Sequence, residues 1–176
     1  MNNDEEKIDP FIDFLEKHKE DRGMLAALRR GLGQTPGQAP EMYPYVIRFL
    51  PEKHYASLES AYYQVASLFA LHPSSTTLGN MGDHLAATIH REEERQSVER
   101  RFTNLLKAHI DDLHVYLHQA VAILKSDEIS VNWNQLLHDL KYWDHPQFFI
   151  QKRWAEHFWG KKNRPVENVE TEKESK

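Results

Sequence analysis

SVERRFTNLLKAHIDDLHVYLHQAVAIL, residues 97–124, sets Val98, Phe102, Leu105, Leu106, His109, Leu113, Leu117, Ala120 and Leu124 three or four apart, with one adjacent pair. That is the period of one helix face, and no alternation of two runs through it. Ser97 is placed to cap the segment. It reads as one helix or as two, because Asp111-Asp112 can serve as an internal N-cap. Downstream, Ile129-Ser130-Val131 is the only extended-looking piece, and three residues cannot make a sheet. Asn132 caps a helix with Leu136, Leu137, Leu140 and Trp143 on one face. Pro146 starts a last helix with Phe149, Ile150, Trp154 and Phe158 turned inward.

The same period continues upstream. Met81, Leu85 and Ile89 mark a helix face that precedes the charged run from His90 to Arg95. Residues 73–82, PSSTTLGNMG, form a loop. Before it, Tyr55, Leu58, Tyr62, Val65, Leu68 and Phe69 build a long helix ending at His72-Pro73. Tyr45, Val46, Phe49 and Leu50 give a short apolar turn stopped by Pro51. Residues 33–44, GQTPGQAPEMYP, hold two Gly and three Pro and read as a loop. Met24, Leu25, Leu28 and Leu32 form a short helix closed by Gly31 or Gly33. Asp9 and Pro10 open the first helix, with Phe11, Phe14 and Leu15 on one face. The expectation is an all-α, compact, helical bundle-like domain of about eight helices over 9–160. An acidic, flexible segment (1–8) precedes it, and a disordered polar tail (161–176) follows.

Composition narrows the function classes. The 176 residues hold 22 Lys+Arg, 27 Asp+Glu, 11 His and no Cys, for a net charge of −5. The imbalance sits at the ends. Residues 22–164 contain 15 acids and 17 bases, so the body is +2 and the total does not exclude a nucleic-acid partner. Zero Cys removes disulfide scaffolds, cysteine zinc sites and cysteine nucleophiles, and suits a reducing cytoplasm. No apolar run approaches the ~18 residues of a membrane span. The start, MNNDEEKIDPF, lacks the basic and apolar regions of a signal peptide.

A search for catalytic or metal chemistry returns little. His114 and His118 lie four apart in HVYLH, but no adjacent Glu and no third ligand accompany them, so solvated or polar-contact histidine is the plainer reading. Glu92, Glu93 and Glu94 are consecutive and point in different directions, as on a charged helix face. The Gly31, Gly33 and Gly37 run is no phosphate loop, because Pro36 takes the third glycine position. Asp111 and Asp112 suit capping more than acid–base work. The sequence is expected to be no enzyme.

Basic pairs are more informative. Arg29-Arg30 end the second helix, with no acid between positions 22 and 40; favourable interaction with a helix C-terminus explains them equally well. Arg100-Arg101 flank Phe102, and Lys107, two turns beyond Arg100, shares its face. Lys152-Arg153 add charge near the end. On chemistry alone a solvated charged surface competes with a nucleic-acid groove. The four tryptophans fall in apolar stripes and read as core.

The order of segments adds a resemblance. MLAALRRG (24–31), LFALHP (68–73), LGNMG (78–82), VERRF (98–102) with Leu105-Leu106, VNW (131–133) with LLHDL (136–140), Trp143, and QKRWA (151–155) with Phe158 follow one another in this chain. This series resembles the CasB family, the small subunit of the type I-E CRISPR surveillance complex Cascade, over about residues 10–160. No one motif is diagnostic; the ordered set carries the likeness. The resemblance implies an all-α, non-catalytic subunit, without cofactor or small-molecule substrate. It would be present as two copies contacting the backbone and large subunits, guide RNA and target DNA. It implies that basic residues hold the opened DNA: Arg29, Arg30, Lys53, Arg100, Arg101 and Lys107, with Lys152 and Arg153 as weaker members. Relatives often carry Arg in the helix after Leu113, where this chain has His114 and His118, groups less charged than arginine at pH 7. A helical protein–protein adaptor without nucleic-acid contact is the competing expectation.

Overall fold

One helix, Ala56–Leu71, is enclosed by the rest of the molecule in a computed structural model that describes residues 7–160. Residues 61–70 of this helix (α4) are all buried, Gln64 and Ser67 included, because its apolar groups run round the whole circumference. Around it lie α1 (Pro10–Lys17), α2 (Arg22–Arg29), the short α3 (Tyr43–Val46), α5 (Met81–Ala86), α6 (Glu92–Lys107), α7 (Leu113–Ser126), α8 (Trp133–Lys141) and α9 (Phe149–Trp159). Helices α2, α7 and α8 pack directly on α4, while α5 carries α9, α6 and α7. The described residues are thus all-α, with nine helices and two 3-10 turns. Most of the acidic leading segment, and the whole expected tail, lie outside them.

Local chemistry sets the boundaries, and several differ from expectation. Asp9 caps α1, its Oδ1 accepting from Phe11 N at 2.9 Å, and Asn132 caps α8, accepting from Gln135 N at 3.0 Å. Ser97 caps nothing. It lies inside α6, which starts in the charged run because Glu92, Glu93 and Glu94 complement the positive end of the helix. The periodic segment is two helices: Ala108 turns extended, and α7 begins after Asp112, whose side chain makes no capping bond. Leu32 lies beyond α2, which gives way to turns that reach Gly33 at φ +75°. Residues 33–44 are less open than their Gly and Pro content suggests: Pro40–Met42 form a 3-10 turn with Met42 buried. Pro146 does not start the last helix. Residues 142–148 coil through successive turns, Phe148 takes φ +52°, and Gln151 Nε2 donates to the Trp143 carbonyl at 2.8 Å. The extended piece contributes one parallel bridge, Val131 with Ser75.

Aromatic side chains tie the helices together. Phe102 stacks on Phe158 with centroids 4.2 Å apart, joining α6 to α9, and Trp143 meets Trp154 at 5.0 Å. Each buried indole N–H has an acceptor: Trp133 on the Ser74 carbonyl, Trp143 on the Ala108 carbonyl, Trp154 on Asp139. Three of the four tryptophans are core, as their stripes predict, whereas Trp159 is 38% exposed.

Candidate nucleic-acid interface

Arg29 and Arg30 stand at the C-terminal end of α2, where α2 packs on α4. Arg29 Nε donates to the Ala70 carbonyl at 2.8 Å, which anchors the side chain and leaves both Nη nitrogens without a partner among the described residues. Arg30 is exposed and unpaired there, and its backbone carbonyl accepts from Gln34 Nε2 at 2.7 Å. The chain then turns through 31–37 to form one wall of a narrow cleft. His114 and His118, at the start of α7, form the other wall, and Tyr63 and Gln64 of α4 form the floor. Helical spacing puts both histidines on this one wall, and the cleft brings together the turn after α2 and the first turns of α7, two regions the sequence leaves unconnected.

The cleft has a distinct electrostatic character. Gln64 Oε1 and His114 Nδ1 are buried without hydrogen-bond partners among the described residues. Burial, with the nearby Glu59 carboxylate and Tyr43, pushes the Tyr63 phenol up to about 12, so it stays neutral across the physiological range. Gln64 was not foreseen, because a lone polar residue in an apolar helix carries no site signal.

On α6 the arginine pair divides. Arg100 and Lys107 lie on the outer face, both exposed and unpaired among the described residues. Arg101 is turned a quarter of the way round, beside a crevice lined by Leu85, Thr88, Tyr116 and Gln119. The opposite flank is neutralised internally: Arg95 Nε lies 3.0 Å from Glu92, and Trp159 Nε1 donates to Glu99 at 3.2 Å.

The remaining candidates separate clearly. Lys53 is exposed in the turn before α4, and Lys152 is exposed on α9. Arg153 is not a free cation. Its guanidinium donates to Asp139, a fully buried carboxylate that also accepts from Trp154 Nε1 at 2.6 Å and Gln135 Nε2 at 2.7 Å. That placement gives Arg153 a structural task, because a buried carboxylate requires compensation. Among the described residues no three His, Asp or Glu side chains converge to hold a metal ion, and no helix is long and apolar enough to cross a membrane.

The family model for CRISPR-associated protein Cse2 matches residues 24–159 of this fold. The chain belongs to the Cse2 family. It is 34% identical over 155 residues to the CRISPR-associated protein Cse2 of Thermus thermophilus, covering 85% of this chain and 88% of that protein. The crystal structure of CasB from Thermus thermophilus superposes with a TM-score of 0.75 at 32% identity, covering 85% of this chain and 96% of that one. A chain of a CRISPR RNA-guided surveillance complex gives 0.74 at 27% identity, covering 85% and 90%. The resemblance read from the ordered segments therefore holds, and the family match over residues 24–159 takes in all eight candidate cations.

Proposed function

We propose that this chain is a non-catalytic, nucleic-acid-binding subunit of a type I-E CRISPR Cascade complex. It is present there as a pair, and it stabilises the opened DNA while guide RNA pairs with the target strand. The observation that carries the reading is a set of cations without carboxylate partners among the described residues: Arg30 beside the cleft, and Arg100, Arg101 and Lys107 on α6. Membership in the family and likeness to a chain of an RNA-guided surveillance complex support the setting. Exchanging a DNA duplex for an RNA–DNA hybrid is nearly balanced in free energy, so modest contacts to phosphate tip it while base pairing reads the sequence. A subunit with that task needs cations at phosphate spacing and no reacting group.

Salt dependence of single-strand binding tests the reading. The chain is expected to retain a labelled oligothymidine weakly at low salt, with log affinity falling by about 0.7 per phosphate contacted. Replacing Arg100 and Arg101 by Ala should lower that slope by up to about 1.4 without unfolding the protein. An unchanged slope would place the binding surface elsewhere. No retention at low salt would favour the adaptor reading, in which the same arginines meet acidic protein.

A further inference from the structure

Arg48 sits alone in the apolar run YPYVIRFLP, residues 43–51, and pairs with no neighbouring base in the sequence. In the structure its guanidinium carbon lies 4.2 Å from the ring centre of Phe14 and 5.0 Å from that of Phe49. It makes no hydrogen bond or ion pair among the described residues and is exposed. The other arginines with a fixed position are bonded to protein oxygens: Arg29 to a carbonyl, and Arg95 and Arg153 to carboxylates. Arg48 is fixed by ring stacking instead, so its N–H edges are held in place and left unused. That is the state in which a guanidinium meets a phosphate with little ordering cost.

The surroundings favour an anion. His18 lies against the same ring, its own ring centre 4.4 Å from that of Phe14, with Nδ1 2.8 Å from the Phe14 carbonyl. The acids of α1 lie elsewhere: Asp13 and Glu16 line a separate groove with Thr76, Thr77 and Trp133. Glu52 is the single acid in residues 42–58. Lys53 follows Arg48 by five residues, no more than about 17 Å along the chain, a span that about five stacked nucleotides cover. Tyr55, two residues further on, is 59% exposed. Two cations followed by an exposed ring are what a single strand engages through phosphate and base.

We propose that Arg48, held on Phe14 and Phe49, forms with Lys53 and Tyr55 a second contact for single-stranded nucleic acid, separate from the α2–α6 cations. It rests on the reading of the chain as a nucleic-acid-binding subunit. The test is titration of the full chain with a labelled oligothymidine across a salt series. R48M keeps the aliphatic cover on the rings and removes the charge; R48K keeps the charge. R48M is expected to weaken binding severalfold and lower the salt slope by about 0.7, while R48K keeps the slope but binds more weakly than wild type because an ammonium lacks the stacked planar fork, with all three chains melting together. Unchanged affinity and slope in folded R48M would overturn the proposal while leaving the broader reading intact, provided R100A/R101A lowers the slope in the same assay. Absence of binding by the wild-type chain would overturn both. Labelled poly-glutamate bound through Arg48, with no Arg48-dependent change in oligothymidine binding, would overturn it in favour of an acidic protein partner.

Discussion

Arg100 and Arg153 carry the same charge to opposite ends. Arg100 stands on the outside of α6 with no bonded acid among the described residues, while Arg153 helps compensate Asp139, which is fully buried. Replacing Arg153 by Met removes a donor to a charged group and should cost about 1.5–3 kcal/mol in a urea unfolding experiment, leaving the salt slope of DNA binding unchanged. A slope that drops with stability intact would return Arg153 to the binding surface. The sequence supplies both cations, but not the distinction between them, because Asp139 and Arg153 belong to different helices, α8 and α9. His84 gives a second residue-scale prediction. Burial lowers its pKa, outweighing the opposing charge of Asp83, and its Nε2 accepts from Asn132 N at 3.1 Å. A histidine held neutral in the fold contributes stability that is present above the unfolded value of about 6.5 and is lost as pH falls below it. Replacing His84 by Gln should therefore flatten the fall in melting temperature on acidification. An acid limb as steep as wild type would show that His84 does not drive it.

Helix α5 is short, and its terminus explains why it holds. Asn80 and Asp83 form a reciprocal capping box, with Gly82 N bonded to Asn80 Oδ1 at 2.8 Å and Asn80 N to Asp83 Oδ2 at 2.9 Å. Gly82 lies so close to α9 that an added Cβ would collide with the Trp154 carbonyl. Gly82→Ala should destabilise the fold by about 1–3 kcal/mol despite the better helix propensity of Ala, and wild-type stability would show that α5 and α9 separate freely. Most of the helices were legible from spacing alone, because three-and-four periodicity survives any tertiary arrangement, whereas α3 falls where the sequence reads as a loop and a short turn. Several ends were not legible. Ser97 resembles a cap as closely as Asn132 does, and only the acidic turn before it, Glu92 to Glu94, moves the start of α6 upstream. Pro146 likewise resembles a helix start, yet the turns from Tyr142 to Phe148 take the backbone bonds first.

At the scale of the molecule, the enclosure of α4 brings segments distant in sequence to the two sides of one cleft. The cleft over Tyr63 and Gln64 sets the 31–37 turn opposite His114 and His118, so the end of α2 meets the beginning of α7. No sequence spacing foretells that meeting, since it depends on which helices share α4 as a neighbour. The ordered family-like segments were legible, and so was the mild excess of base over acid in residues 22–164. Such a small excess predicts weak binding by the isolated chain and a firmer grip when its cations add to those of a larger assembly. The most direct test is to reconstitute the guide-RNA-containing complex with wild-type chain or with the R100A/R101A chain, and follow the displaced strand of a target duplex by permanganate reactivity after competitor is added. We predict equal incorporation of both chains and a shorter-lived open duplex with the variant. Equal incorporation with an unchanged lifetime would contradict the assignment of these cations to holding the opened DNA.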